Sequence, residues 1–536
     1  MEKIAQEIIA LEQRERGRQS NFRTLWQDTA DLMYPRENQI VDTTVPGQVK
    51  TDRIFDLTAV MESANMASGL AQNLVPPGQR FFALKSSDRK LREVDNVKRY
   101  LSTVTELVHD NLFASNFMLQ LIETLRSLVV FGTGNLYSEF KTKLNFKDYP
   151  IGTYQILESS EGLVDTMILK FPMEARQAAQ EFENPGKLVE EALKSDKTKK
   201  FEFIHIVRPR KERDVTKKNN LNMPFESIYV SVSDQDIVDE GGFDEFPYHT
   251  PRWMKSSSER YGRGQGTEIL PQVRVANQMM ADFIEMGNKF VNPPLEVLES
   301  FEGEVKTTPS ALNFVQERGS IGAVQQNALG NFPIGKDIID MQREIIKAAF
   351  YSQAFAPLTD LSGDRRTTLE IRQRVQESFK KIGSPIGRIQ SELFTPLITR
   401  VVMLLLRNGK LPPVPEELAG SDFSVEYVGP LSLALRSSEV EASQQWIGIV
   451  SEIEQISPGV IDNIDMDDSV RRMARAFGVN EEDIASEEEV IAKREAKAQL
   501  MQERRAAEMA QMAGKAYPGS TKAPESGSPA EALMNS

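Results

Sequence analysis

The chain has 536 residues, 64 Lys and Arg against 78 Asp and Glu, three His and no Cys. Without Cys there is no disulfide framework, no thiol nucleophile and no Cys-ligated zinc or iron–sulfur site, and His109, His205 and His249 stand too far apart in sequence to read as a metal cluster. A formal charge of -14 argues against a protein that coats nucleic acid, because phosphate binding needs clustered Lys and Arg, but not against one that lets DNA pass.

Residues 1–34 carry Ile4, Ile8 and Leu11, then Phe22, Leu25, Trp26 and Ala30, at helical spacing. This predicts a helix or helix pair stopped by Pro35. A polar loop over 36–54 precedes a second helix from about Leu57 to Leu74, ended by Pro76-Pro77-Gly78. Phe81 to Leu84 reads as a short strand, followed by helices at about Glu93–Ser115 and Asn116–Phe131. Gly132 and Gly134 end the second of these. Strand signals dominate 136–260, with one helix at roughly Pro172–Phe182 and a Lys/Glu-rich helix-plus-turn at 186–200. From Gly264 the pattern turns helical again. Thr267–Val291 is one long amphipathic stretch, and 293–335 is a compact insert with strand-like Leu295–Leu298 and Leu312–Val315. A helix then runs from about Gly335 to Phe355, a loop from Leu358 to Arg366, and a long stretch Thr367–Arg407 is broken near Gly383–Gly387. Phe423, Val425 and Tyr427 alternate as a strand. Helices follow at about 437–456, 467–477 and 486–513, before a Gly/Pro/Ser/Ala-rich tail over 514–536 expected to be disordered.

Catalytic signatures are scarce. Neither a Walker A loop nor a G-x-S-x-G elbow is present. Gly262-Arg-Gly-Gln-Gly266 resembles a phosphate loop but lacks its Lys and its spacing, and reads as a flexible hinge into the helix. Asp465, Asp467 and Asp468, and separately Asp234 and Asp236, are candidate metal carboxylates. Helix caps and turns are the commoner use of such acidic pairs. The longest apolar run, Leu397–Leu406, is interrupted by Arg400 and too short for a membrane span. The polar N-terminus lacks a secretory h-region, so a protein made in the cytoplasm is expected.

The informative unit is 264–380. On its first helix Val273, Ala276, Met280, Phe283, Ile284 and Phe290 form an apolar side opposite Arg274, Gln278, Asp282, Glu285 and Lys289. On the second, Ile338, Met341, Ile345, Ala348 and Ala349 oppose Asp340, Glu344, Lys347 and Tyr351. A plain helical hairpin with solvated charges explains each helix taken alone. The order of features is more specific: an α/β body, a helix, a small β insert, a second helix, a polar Gly-containing loop, and a long helix back to the body.

That order, together with Leu25-Trp26-Gln-Asp-Thr-Ala30, Phe55-Asp56-Leu-Thr58, Ala71-Gln-Asn-Leu74-Val-Pro76-Pro77-Gly78, Phe131-Gly132-Thr133-Gly134, Thr368-Leu-Glu370-Ile-Arg372 and Gly409-Lys-Leu-Pro412-Pro413, resembles the portal proteins, or head-to-tail connectors, of T7-like short-tailed bacteriophages. The resemblance runs in order from the N-terminus to about residue 480. It implies an α+β, mostly helical portal fold assembling as a dodecameric ring around a DNA channel. It divides the chain into a wing (1–263), a first stem helix (264–292), a clip (293–335), a second stem helix (336–356), a tunnel loop (357–366), a wing return (367–435), and crown and C-terminal helices (436–513) before the tail. A ring of this kind sits in the virion at one capsid vertex and serves genome packaging, ejection and tail attachment. The partners implied are further copies of the chain, double-stranded DNA, the terminase large subunit, major capsid and scaffolding proteins, a tail adaptor and internal core proteins. No enzymatic activity, cofactor or metal is implied. Arg365 and Arg366 in the tunnel loop, with Lys347 and Lys336 on the stem, are the candidate DNA contacts. Val273, Met280, Phe283, Ile284, Ile338 and Ile345 are the candidate stem-packing residues. Rival readings are another virion assembly component, such as a tail adaptor or core protein, and a metal-dependent nuclease built on Asp465–Asp468.

Overall fold

The computed structural model describes residues 2–42, 45, 47–214, 216–217, 219–292, 294–299, 304–307, 312–315, 321–323, 332–352, 382–418, 420–429, 445–454, 457, 459–460, 464–476, 485 and 487–516. These form an α+β chain in two compact units, Met1–Ser438 and Glu439–Ser536.

The first unit opens with helices α1 (Glu2–Arg18) and α2 (Ser20–Met33), then α3 (Thr58–Leu74), α4 (Asp95–Phe113) and α5 (Phe117–Phe131). The sequence-read boundaries match these to within a few residues. Strand β1 (Phe82–Ser86) precedes α4 and pairs antiparallel with β12 (Phe423–Tyr427), so the end of the unit returns to its start. Strands β2 (Leu136–Phe140), β3 (Leu144–Asp148) and β9 (Tyr248–His249) form a three-stranded sheet. An antiparallel meander of five strands lies between β3 and β9: β4 (Tyr154–Glu158), β5 (Val164–Glu174), β6 (Lys200–Pro209), β7 (Phe225–Ser231) and β8 (Asp236–Phe243).

Alternation on β6 shows how this sheet is buried on both faces. Ile204 and Ile206 point to one side, where Ala5 and Ile8 of α1 cover them. Phe201 and Phe203 point to the other, against α6 (Ala175–Glu181) and α7 (Lys187–Ser195) through Ala178, Val189 and Ala192. The helix expected at Pro172–Phe182 begins three residues late. Pro172 to Glu174 stay in β5 opposite Glu202 to Lys200. Glu174 and Gln177 then make a reciprocal capping box at the start of α6.

A hairpin of two helices follows: α8 (Gln265–Val291) and α9 (Phe332–Ala349). Between them β10 (Leu295–Val297) pairs with β11 (Ile321–Ala323). The expected strand at Leu312–Val315 is not one. Leu312 and Phe314 are 75% and 88% exposed, and the Asn313 side chain instead bonds both the N–H and the carbonyl of Lys306, at 2.8 and 2.9 Å. The α9 helix ends at Ala349, short of the expected Phe355, and Tyr351 takes a left-handed backbone with φ 52°. Residues 353–381 lie outside the described part, and with them the tunnel loop.

Helix α10 (Gly383–Arg407) is apolar and long enough to cross a membrane by composition alone. Here Leu393, Leu397, Ile398, Val401 and Leu405 are buried in the main core. Arg400 is buried too, donating to the carbonyls of Ser138 (3.3 Å) and Glu245 (2.8 Å). Gly383 starts this helix among the described residues, at the edge of the break expected near Gly383–Gly387, and a π-helical turn follows at Ile389–Phe394.

The second unit contributes a helix over 445–454, then α11 (Met466–Ala476) and α12 (Glu487–Ala516). The tail beyond 516 lies outside the described residues.

Candidate channel stem and its seat

The α8–α9 hairpin is the candidate site. Val273 and Ala276 on α8, with Ile346 on α9 and the following Phe350, enter the main core, and Ile339 on α9 is buried as well. Among the sequence-selected packing residues, Val273 is 3% exposed, and Met280 and Phe283 are half-buried. Ile284, Ile338 and Ile345 are exposed, at 45%, 38% and 40%. Within one chain, Ile339 and Ile346 occupy the core positions of α9, one residue on from Ile338 and Ile345. The second apolar stripe, Ile338–Met341–Ile345, is left outside.

Charge on the hairpin is balanced. Five basic side chains (Arg274, Lys289, Lys336, Arg343, Lys347) stand with six acidic ones (Glu268, Asp282, Glu285, Asp337, Asp340, Glu344). Most of the cations have local carboxylate partners: Lys289 with Glu285 at 2.6 Å, Lys347 with Glu344 at 2.8 Å, Arg274 with Asp28 at 2.6 Å, and Arg343 with Asp56 at 2.8 Å. The Glu344 hydrogen bond holds the Lys347 ammonium above its ordinary pKa. Lys336 is exposed. Arg365 and Arg366 lie outside the described residues. The three exposed pairs each contribute little to stability, Asp56 in the fourth is buried, and together they leave few bare cations to hold phosphate.

The hairpin is seated on a glycine seam. At the end of α5, Gly132 has φ 90°, and a Cβ there would stand 2.4 Å from the backbone of both Arg263 and Gly264. A Cβ on Gly264 would meet the Gly132 nitrogen and the Val129 carbonyl at 2.6 Å, and one on Gly266 the Val130 carbonyl at 2.5 Å. Hydrogen bonds close the seam: Trp253 N–H to the Gly132 carbonyl (2.9 Å), Gly262 N–H to the Thr133 hydroxyl (2.9 Å) and Gly134 N–H to the Pro251 carbonyl (3.1 Å). The reading of Gly262–Gly266 as a flexible hinge is therefore corrected. These glycines allow two backbones to touch, and the contact fixes where α8 starts.

Beside the seam lies a buried charge cluster. Arg252, 2% exposed at the side chain, donates from Nε (3.0 Å) and Nη2 (2.8 Å) to Glu392 in the π-helical turn. It also donates to Glu158, to the Gly162 carbonyl (3.0 Å) and to the Arg260 carbonyl (3.3 Å). Lys255 shares Glu158. Burial disfavours the Arg252 charge, but the Glu392 and Glu158 carboxylates outweigh it, and the guanidinium sits above its ordinary pKa. The extra residue of a π turn re-aims side chains within a helix, and Glu392 is one of those it carries. Sequence reading missed this cluster because its members lie 94 and 140 positions apart.

Two Ser–His contacts mimic nucleophile dyads: Ser227 with His205 and Ser138 with His249, each at 2.9 Å. Both are sealed in the core, and His205 is further tied to the Tyr248 hydroxyl (2.9 Å) and stacked on Tyr229 at 3.9 Å. Burial pushes His205 and His249 down to about 3 and His109 down to about 4. The folded state therefore holds these imidazoles neutral while the unfolded chain protonates them near 6.5. Their contribution to stability is complete above about pH 6.5 and is lost as pH falls towards 4 and 3. Asp148, which burial raises to about 7, acts in the opposite sense between its unfolded value and neutrality. Glu37 is also raised by burial, so two carboxyls stand against three imidazoles, and the melting temperature should fall from pH 7 to pH 4.5, read by calorimetry. A His205→Gln variant should show a shallower fall than the parent.

The carboxylate groups read as candidate metal ligands have local uses. Asp465 caps the Asp468 N–H at 3.0 Å, and Asp467 pairs twice with Arg494 at 2.7 Å. Asp234 accepts from the Leu188 N–H (3.1 Å) and the Ser231 hydroxyl (3.0 Å), capping α7, while Asp236 accepts from the next N–H, Ile237, at 2.9 Å. Among the described residues, no three metal-binding side chains gather.

The site is thus a long helical hairpin with balanced charge that carries a small strand pair and returns to an α/β body. The chain belongs to the bacteriophage head-to-tail connecting protein family, whose model matches residues 5–484. It is 26% identical over 510 residues to the portal protein of Salmonella phage epsilon15, covering 93% of this chain and 92% of that one. The probable portal protein of Bordetella phage BPP-1 is 26% identical over 499 residues (91% and 90%), and the portal protein of Escherichia phage T7 is 23% identical over 382 (66% and 66%).

Proposed function

We propose that the chain forms the ring at a unique capsid vertex, through which the genome enters during packaging and leaves during ejection, and to which the tail attaches. The observation that carries this reading is the family match over residues 5–484 on a chain whose α8–α9 hairpin is balanced in charge. A wall of paired charges makes a passage that DNA slides along, because each unpaired Lys or Arg at phosphate would add a salt-sensitive hold. A helix with its side chains is about 10 Å across, so a pore lined at about 20 Å radius takes on the order of 12 helices. One helix from each of twelve subunits suits that count.

In this reading residues 1–263 and 367–435 are the wing, and α8 and α9 the stem. The insert 293–335 is the clip, presented to the terminase large subunit and later to a tail adaptor. Residues 357–366 are the tunnel loop, where Arg365 and Arg366 brush the DNA, with lighter contacts from Lys347 and Lys336. The 436–513 helices form the crown, facing internal core proteins, while the wing meets capsid and scaffolding proteins. Assembly takes place in the host cytoplasm and the product is a virion component.

Negative-stain images of the purified protein should show closed rings with a central hole, and monomers or dimers at every salt concentration would overturn the reading. Arg365→Ala combined with Arg366→Ala should leave rings intact and lower the DNA content of filled heads, measured by buoyant density. Unchanged filling would remove these two residues from the channel site.

A further inference from the structure

Two apolar patches of the first unit lie on opposite sides of one helix. The segment before α3 is strapped to the hairpin. Asn277 on α8 accepts from the N–H groups of Phe55 (2.7 Å) and Asp56 (3.1 Å), and donates to the Arg53 carbonyl (2.9 Å). Arg343 on α9 donates to the Asp56 carboxylate at 2.8 Å. The strap is a built surface: it presents Phe55 and Leu57, 46% and 54% exposed, beside Met61 on α3, 61% exposed. The second patch is the stripe Ile338, Met341 and Ile345 on α9, at 38%, 55% and 40%. At about 100° per residue, Arg343 lies about 140–160° around α9 from each of these three. A patch beside Arg343 and a patch behind it cannot meet within one chain.

Resting on the ring reading above, we infer that these two patches meet between neighbouring copies: Phe55, Leu57 and Met61 of one subunit pack on the Ile338–Met341–Ile345 stripe of the next. Two different patches on opposite sides make a head-to-tail contact, the kind that propagates around a closed ring and never stops at a two-fold dimer. The i, i+3, i+7 spacing of the stripe is that of a helix seam. Charge agrees with the pairing: exposed Asp337 and Glu344 border the stripe, while exposed Arg53 borders the Phe55 patch. The partner is therefore a second copy of this chain. The strap carries the specificity, since the hydrogen bonds of Asn277 fix its backbone from Arg53 to Asp56.

The absence of Cys makes the contact directly testable. Full-length Phe55→Cys/Met341→Cys protein is assembled, oxidised with copper–phenanthroline and run on a non-reducing gel. The expected result is a ladder of covalent multimers, no ladder from either single variant, and dimers only from a co-assembled mixture of the two singles. Rings intact by electron microscopy with no covalent product, or a double variant that stops at dimers, overturns the interface and leaves the ring reading standing. Absence of rings in the unmodified protein overturns the ring reading itself. A second variant, Met341→Glu, changes an exposed residue and should keep the melting profile of the subunit while shifting its mass distribution towards monomers. Rings of unchanged abundance with this variant count against the proposal.

Discussion

Gly264→Ala is expected to lower the stability of the first unit by on the order of 4 kcal/mol, and Gly132→Ala by at least as much, measured as a lower urea midpoint. A methyl group on Gly264 would be pushed to 2.6 Å from two backbone atoms of α5, neither of which is the tip of a movable side chain. At Gly132 the methyl meets the partner backbone at 2.4 Å, and φ 90° adds the strain of a left-handed residue. Relief requires α5 and the start of α8 to part. That would break the Trp253–Gly132 bond and reopen a junction on which the placement of the hairpin depends. Gly17→Ala supplies the contrast. It lies within α1 with nothing within 4 Å of its Cβ position, so alanine there should stabilise by about 0.5–1 kcal/mol through helix propensity. Equal effects at Gly17 and Gly264 would remove the seam as an explanation.

Arg252→Met should cost about 3–5 kcal/mol, the range for removing one partner of a buried ion pair. Glu392 would keep the backbone N–H of residue 252 but, for charge, only the distant Arg388 guanidinium at 3.8 Å among the described residues, and Gly162 and Arg260 would each lose a donor to their carbonyls. Glu392→Gln should cost less, because an amide oxygen still accepts from the Arg252 N–H, bonded here at 3.0 Å. The double variant Arg252→Met/Glu392→Met should recover part of the loss, since neither charge is then left unpaired. A double-mutant cycle in urea reads this directly, and strict additivity would show that the two residues do not act as a unit. Glu158 lies below the ordinary carboxylate range despite burial, held there by Lys255 and Arg252. Its share of the stability is therefore present at neutral pH and lost in acid.

Local structure was legible in the sequence wherever one period ruled. The α2 helix follows Phe22, Leu25, Trp26 and Ala30, and β6 and β7 follow their runs of β-branched and aromatic residues. The α9 helix was harder. Ile338, Ile339, Ile345 and Ile346 come as adjacent pairs, so an apolar face can be drawn through either member. Burial in the fold selects Ile339 and Ile346, and nothing local distinguishes them. The seam was misread for a related reason. Gly132 and Gly264 each look like ordinary helix punctuation, and only the fold reveals that they touch. The Arg252–Glu392 pair joins a loop to a helix 140 positions away, beyond any spacing rule. The reading of Leu312–Val315 as a strand failed because apolar alternation was present without, among the described residues, a partner strand to satisfy its backbone.

A joint without slack turns α8 into a lever. Its 27 residues span about 40 Å at 1.5 Å per residue. If the seam does not bend, a tilt of about 5° at the α5 end carries the far end, where β10 begins, through about 3.5 Å. That displacement is close to the rise of one residue in a β-strand. A small rocking of the α/β body would thus shift the strand pair by about one ladder step, large enough to change what that pair can grip.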